Sequence, residues 1–142
     1  ARHQFRITDS RTAELTKYME NSFLATKVSF CQQFYFIASE MDVDYEELRE
    51  LFVLDPRVNP SHTFVDRLHP YWSSHCLDKD VPAIADTYEA SLLQEIIKFN
   101  ENTKKCLGII RKAEIPEGIK NDMLMYQAGV RRKEILEDQE TP

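Results

Sequence analysis

The segment DSRTAELTKYMENSFLATKVSFCQQFYFIASEM (residues 9–41) contains no glycine and no proline. Its apolar side chains recur every three or four residues, which is the period of an α-helix. One row is Leu15, Tyr18, Met19, Leu24, Val28, Cys31, Phe34, Tyr35 and Ala38, and a second row is Phe23, Phe30, Ile37 and Met41. Asp9 or Ser10 is expected to cap the first free N–H groups. At about 1.5 Å per residue, we predict a helix of roughly 45–50 Å that forms the spine of the fold.

The two apolar rows give this long helix more than one face that must be covered. A helix that is apolar on several sides packs against neighbours on several sides. Shorter helices of the same chain can cover one face. We expect a second copy of the chain to cover another, which predicts a homodimer formed through the long helix.

The next part of the chain alternates short helical patterns with a long loop. Residues 45–52 are amphipathic, and Asp44 is placed to cap them. Residues 53–70 contain Asp-Pro, Asn-Pro and His-Pro steps and are predicted to be a loop of functional length. A helical pattern resumes after Pro82 and covers residues 83–88.

The last part of the chain is also helical in pattern. Residues 92–107 form a helix whose core face carries Leu93, Ile96, Ile97 and Phe99. A turn at residues 116–118 is predicted to separate two short amphipathic pieces, and an acidic tail follows at residues 137–142. The fold class predicted from these patterns is all-α: a long helix with shorter helices packed on it.

Composition and charge exclude several kinds of partner. The 142 residues carry a formal net charge of −6, and no basic run is longer than residues 131–133. A nucleic-acid partner is not expected, because binding to phosphate backbones needs a cationic surface. A membrane is not expected either, because the longest apolar run, residues 34–38, is too short to cross a bilayer. There are only three glycines, so no G-x-G-x-x-G turn for a dinucleotide can be written.

Three widely spaced cysteines, Cys31, Cys76 and Cys106, favour a reduced cytoplasm over a disulfide framework. Cys76 has Lys79 and Asp80 three and four residues later, on one face of a helix that starts near it. A thiol beside a lysine at a helix N-terminus favours the thiolate. The alternative is a helix start with ordinary surface charges and an incidental cysteine.

Other assignments for the same region have less support. His62, His69, His75 and Cys76 could ligate zinc, but their spacing matches no zinc motif, and we expect no metal. A cysteine–histidine hydrolase pair lacks support from the sequence as well. On the long helix, Lys17 and Asn21 share the face of the buried row. They are either a polar pair aimed into a cleft, or a lysine that reaches solvent from a frayed first turn.

Several motifs together resemble the UDP-glucose/GDP-mannose dehydrogenase family, and within it the UDP-glucose 6-dehydrogenases. The similar stretches are TAELTKY (12–18), Asn21, FLATKVSF (23–30), DYEEL (44–48), LDPRV (54–58), HCLDKD (75–80) and residues 92–102. The resemblance covers roughly residues 5–105 and concerns the helical central domain, whose fold is like the C-terminal domain of 6-phosphogluconate dehydrogenase. It implies that residues 1–107 are this domain and that residues 108–142 are a divergent helical and acidic tail.

The resemblance also implies an activity. The family's enzymes oxidise the C6 alcohol of a nucleotide sugar to a carboxylate with NAD, and they dimerise through the long helix. NAD and the nucleotide would be bound mainly by domains outside this chain, so the chain alone is expected to be inactive. Cys76 matches the catalytic thiol, which forms a thiohemiacetal and then a thioester. Lys17 and Asn21 match the residues that stabilise the oxyanion, and Asp80 matches the carboxylate that activates the hydrolytic water.

Two further residues and two departures complete the comparison with the family. Arg57 matches an arginine that reaches the substrate across the dimer, and Lys79 lies near the cofactor. Residues 71–75 (YWSSH) replace the family's Gly-Phe-Gly-Gly-Ser loop, and Gln32 and Gln33 replace an Asn-Glu pair. Side chains in this loop would block close backbone approach to the sugar, and any positive φ would be strained. The alternative function is therefore a non-catalytic helical dimerisation module with a relic site.

Overall fold

The computed structural model describes residues 5–130 and contains five helices. They are α1 (Ser10–Glu40), α2 (Tyr45–Phe52), α3 (His75–Thr87), α4 (Ser91–Lys112) and α5 (Glu117–Gln127). The described residues contain no β-strand, so the predicted all-α class is confirmed. The predicted acidic tail at residues 137–142 and the first four residues lie outside this part of the chain.

The long helix α1 begins and ends as the sequence predicts. The Asp9 side chain accepts a hydrogen bond of 2.9 Å from the backbone N–H of Thr12, which caps the helix. Helix α3 packs on the N-terminal half of α1 in a core that includes Ala25 and Val81, while α4 and α5 pack near Phe36. Helix α1 therefore contacts each of the other four helices.

The inner face of α1 differs from the predicted apolar rows. The residues facing the core are mostly small or polar: Ser22, Ala25, Ser29, Cys31, Gln32, Phe36 and Ala38. Small side chains allow the backbones of α3 and α4 to come close to α1. Several of the large apolar residues instead lie exposed along the helix: Leu15, Met19, Phe23, Phe30 and Phe34. We call these five residues the apolar stripe.

Helix α2 forms over the predicted residues. The Asp44 side chain accepts a hydrogen bond of 3.1 Å from the N–H of Glu46. The loop that follows is joined to the helices by hydrogen bonds that include one buried and one exposed bond. Tyr45 Oη donates to the carbonyl oxygen of Thr63 at 2.7 Å, and Lys27 donates to the carbonyl oxygen of Asn59.

Helix α3 starts near Cys76, as the motif of Cys76, Lys79 and Asp80 requires, and the separate prediction of a helical pattern that resumes only after Pro82 is wrong. It begins at His75, and Pro82 lies inside it. The helix starts early because the Ser74 hydroxyl accepts a hydrogen bond from the N–H of Leu77 at 3.1 Å. Pro82 cannot donate to the carbonyl of Asp78, but that carbonyl belongs to the exposed first turn, where the loss is small.

The C-terminal helices also differ from their predicted limits. Helix α4 continues past residue 107 to Lys112, because Leu107 and Ile110 are buried against α5. The turn lies at residues 113–116, and Gly118 is inside α5. The first of the two predicted amphipathic pieces is thus the end of α4. In the described part of the chain, no helix is long and apolar enough to cross a membrane.

Candidate active site

Three of the residues singled out in the sequence come together where α1 crosses α3. Asn21 Nδ2 donates a hydrogen bond to Asp80 Oδ2 at 2.7 Å, although the two residues are 59 positions apart. Lys17 Nζ lies 3.8 Å from the same oxygen. Lys17 and Asn21 are one turn apart on α1, so both side chains reach the same point on α3.

The charge of Asp80 is held in a protected position. Its side chain is only 3% exposed, whereas that of Lys17 is 62% exposed. A buried carboxylate is costly unless it is hydrogen-bonded and paired with a cation. The short bond from Asn21 is the main contact, and the lysine at 3.8 Å adds a solvated positive charge. The arrangement places a carboxylate, an amide and an ammonium group at one edge of the α1–α3 contact.

Cys76 lies in the first turn of α3, one helical turn before Asp80. Residues four apart on a helix are neighbours, so the thiol and the carboxylate lie on one side of α3. Cys76 is exposed and free, whereas Cys31 and Cys106 are buried. Burial raises the pKa of Cys31 and of Cys106. Of the three thiols, Cys76 is therefore the one that a solvent-borne molecule can reach.

The structure does not bring Arg57 to this cluster. Arg57 lies in the loop after α2, where its guanidinium donates to both oxygens of Asp55, the shortest contact being 2.6 Å. Its side chain is 87% exposed. Lys79 lies on the exposed side of α3, next to Asp80. Neither residue has a described contact with Cys76.

The glycine-free loop before Cys76 is well accommodated. No residue from Tyr71 to His75 has a positive φ, so the expected backbone strain is absent from this loop. Trp72 is 4% exposed, and its indole Nε1 donates to Ser29 Oγ at 3.0 Å. Its backbone N–H donates to Asn100 Oδ1, and Asn100 Nδ2 donates back to its carbonyl oxygen, both at 2.9 Å.

Sequence reasoning missed Ser29, Trp72 and Asn100 as part of this region. One signal was present: Asn100 falls on the core face of α4, in register with Ile96 and Ile97. An amide on a buried helix face needs a partner. The sequence does not identify that partner, because Trp72 is 28 residues away.

Two kinds of site do not form in the described residues. They contain no group of three or more side chains that could hold a metal ion. They also contain no strand that leads through a glycine-rich turn into a helix, which a dinucleotide site of the usual kind requires. The residues present do not fit NAD by themselves.

Comparison with known protein families identifies the family of this chain. The model of the UDP-glucose/GDP-mannose dehydrogenase family, central domain, matches residues 11–102. The chain belongs to this family. No solved structure matches the chain significantly.

Curated relatives carry names from the same family. The UDP-glucose 6-dehydrogenase of Rickettsia bellii is 32% identical over 100 residues, which are 67% of this chain and 22% of that enzyme. The UDP-glucose 6-dehydrogenase of Bacillus subtilis is 32% identical over 105 residues, or 70% of this chain and 23% of that enzyme. A UDP-N-acetyl-D-mannosamine dehydrogenase of Methanococcus aeolicus is 28% identical over 138 residues, or 96% and 30%. The chain thus spans less than a third of the length of these relatives.

Proposed function

We propose that this chain is the central domain of a larger NAD-dependent UDP-glucose 6-dehydrogenase, and that Cys76 is the nucleophile. Residues 1–107 would form the domain proper, and residues 108–142 a divergent extension whose helix α5 packs on the same core. Three free thiols favour a reducing cytoplasm as the compartment. NAD would be held mainly by another part of the protein. It would accept the hydride in the oxidation of the sugar's C6 alcohol.

One observation carries this proposal. Lys17, Asn21 and Asp80 meet through side-chain contacts at a point one helical turn from the exposed thiol of Cys76. Packing alone does not require a nearly buried carboxylate at this position, because an apolar side chain of similar volume is often as stable. A nucleophile, two donors and a carboxylate in one place are what addition to an aldehyde and later hydrolysis require.

The thiol of Cys76 would act first on the C6 aldehyde. The thiol gives its proton to solvent water, and its sulfur forms a bond to the carbonyl carbon. The π electrons of the C=O bond move to the oxygen, which becomes an oxyanion in the resulting thiohemiacetal. The Lys17 ammonium carries three N–H donors and the Asn21 amide carries two, so each can donate to the oxyanion while still contacting Asp80. Covalent capture keeps the aldehyde on the protein until it is oxidised to the thioester.

Asp80 would act on the thioester. Its described contacts both reach Oδ2, which leaves Oδ1 to accept a proton from a water molecule. That water attacks the thioester carbon, the carbon–sulfur bond breaks, and the thiol and the carboxylate product are released. Lys79 and Arg57 would act outside this cluster. Lys79 would lie near the cofactor. Arg57 would contact the substrate after its ion pair with Asp55 has broken.

The direct test is an assay on the protein isolated from its natural source. We expect an intact mass well above the 16.7 kDa of this chain and formation of NADH when UDP-glucose and NAD are supplied. UDP-N-acetylmannosamine and GDP-mannose are the comparison substrates. A natural protein of 16.7 kDa, or a longer one that turns over none of these nucleotide sugars, would instead favour a dimerisation module with a relic site.

The apolar stripe supports the proposal of a homodimer. Met19 is 75% exposed and Phe23 is 64% exposed, and they lie one turn apart on α1. Met19 and Phe23 line an apolar groove with Leu92 and Leu93 of α4, and Phe30 and Phe34 line a second one with Phe52. Contiguous exposed apolar surface of this kind marks interaction sites.

Light scattering on the isolated chain tests the dimer. We expect a mass of twice 16.7 kDa for the wild type and of 16.7 kDa for Phe23→Asp, because the charge cannot be desolvated in an apolar interface. Glu14→Lys changes an exposed charge on the side of α1 away from the stripe and should leave the dimer intact. A wild-type chain that is monomeric at high concentration would rule out the dimer.

A further inference from the structure

The side-chain amide of Asn100 binds the backbone of Trp72 from both sides. It accepts from the Trp72 N–H and donates to the Trp72 carbonyl oxygen, both at 2.9 Å. Asn100 is 0% exposed, so water does not compete for these bonds. A paired amide of this kind fixes both the position and the orientation of one peptide segment, and here it ties the loop at residues 71–74 to α4.

The side chain of Trp72 ties the same loop to α1 and α3. Its indole packs in a cluster with Ala25 of α1 and with Leu77 and Val81 of α3. Its Nε1 donates to Ser29 Oγ on α1 at 3.0 Å. One residue is therefore held by three helices.

The loop at residues 71–74 leads directly into the first turn of α3, which contains Cys76. Ser74, two residues after Trp72, caps α3 through its bond to Leu77, and Cys76 follows in the first turn. Lys104 of α4 adds a contact at the same place, since its Nζ lies 3.6 Å from Asp78 Oδ1 and 5.8 Å from the centre of the Trp72 ring. The start of α3 is thus fixed by contacts within the chain.

We propose that Trp72 and Asn100 are positioning residues that hold Cys76 in its reactive orientation before any substrate binds. This inference rests on the proposed function, because it assumes that Cys76 is the nucleophile. Trp72 is buried among three helices, so packing as well as hydrogen bonds holds the loop that precedes Cys76. Cys76 then stays in the first turn of α3, one helical turn before Asp80.

The test compares variants of the chain by thiol alkylation and amide hydrogen exchange. Asn100→Ala removes both bonds to the Trp72 backbone. Trp72→Phe removes the donor and Ser29→Ala removes the acceptor of the hydrogen bond between the indole and Ser29, so the two variants should behave alike. Thr103→Val removes a hydroxyl that bonds only to the carbonyl of Phe99, and it serves as the control at an equally buried site of α4.

We expect Asn100→Ala to slow the alkylation of Cys76 by about threefold, because the first turn of α3 that carries the thiol is then no longer held in one orientation. The amides of Leu77 and Asp78 should exchange about tenfold faster, while those of α5 do not change. Trp72→Phe and Ser29→Ala should change the alkylation rate of Cys76 and the amide exchange rates in the same direction as Asn100→Ala, but by smaller factors. Thr103→Val should shift neither.

Buried Cys31 and Cys106 separate positioning from simple loss of stability. If Asn100→Ala only loosens the fold, all three thiols and all helices open together, and the proposal fails. It also fails if Cys76 reacts at the wild-type rate. If Asn100→Ala does not fold, Trp72→Phe and Ser29→Ala decide alone. None of these measurements uses a nucleotide sugar, so a failed dehydrogenase assay overturns the proposed function without changing their result.

Discussion

Replacing Cys76 with serine is expected to lower kcat for UDP-glucose oxidation by at least about a thousandfold in the whole enzyme, with little change in KM. A hydroxyl ionises far less readily than a thiol and is a much weaker nucleophile at neutral pH without an adjacent base. Cys76 is exposed in the first turn of α3, so serine fits there without strain. The loss would therefore report on chemistry. It would be measured as NADH formed at saturating NAD over a range of UDP-glucose concentrations.

A second thiol provides the control for this experiment. Cys106→Ala also removes one cysteine, but from a buried position in the cluster around Phe36 and Leu107. We expect its kcat to stay within about twofold of the wild type, with some loss of stability. If Cys76→Ser keeps more than a tenth of the wild-type kcat, Cys76 is not the nucleophile. The oxidation would then proceed without a covalent intermediate on this residue.

The parts of the fold that the sequence predicted are those decided by local interactions. Helix α1 has continuous 3.6-residue periodicity and an aspartate at its N-terminus, and α2 has the same two signals. The Cys76 motif indicated a helix start near Cys76, which α3 has, but the interpretation of Pro82 as a first-turn residue was wrong. The Ser74 cap and the buried positions of Leu77 and Val81 decide where the helix begins. Local propensity is a weak guide where packing holds a helix together.

The inner face of α1 could not be predicted from hydrophobicity alone. Ser22 and Ser29 are buried, while Met19 and Phe23 are exposed. Hydrophobicity predicts that large apolar residues are covered, but it does not say by which partner. Close packing of α3 selects small residues on one face, and this leaves the larger ones for a different surface.

The spacing of residues in the sequence predicts only part of the candidate site. Spacing along a helix pairs Lys17 with Asn21 and Cys76 with Asp80, because each pair is four residues apart. The contact between Asn21 and Asp80 joins positions 59 apart, and no local pattern predicts it. The resemblance to the family implied one site for the four residues. The structure brings Lys17, Asn21 and Asp80 into contact and places Cys76 one helical turn before Asp80. The resemblance to the family does not predict the contact between Trp72 and Asn100, because residues 71–75 depart from the family's pattern.

Truncating Trp72 to alanine is expected to lower the free energy of unfolding by about 3–5 kcal/mol, which is a large part of the stability of a domain of this size. The indole is 4% exposed and packs on Ala25, Leu77 and Val81, so its removal leaves a cavity between α1 and α3. The Ser29 hydroxyl also loses its donor. Urea denaturation at one fixed chain concentration measures the change, because a dimer would make the midpoint depend on concentration.

Two companion variants show where this loss comes from. Ile109→Ala removes an apolar side chain that is 58% exposed on α4 and should change the free energy of unfolding by no more than about 0.5 kcal/mol. Trp72→Phe keeps most of the packing and should lose less than Trp72→Ala. The bonds from Asn100 reach the Trp72 backbone and survive both substitutions. A loss below about 1 kcal/mol for Trp72→Ala would mean that the loop is held by its backbone alone, and the indole would then have no part in fixing the start of α3.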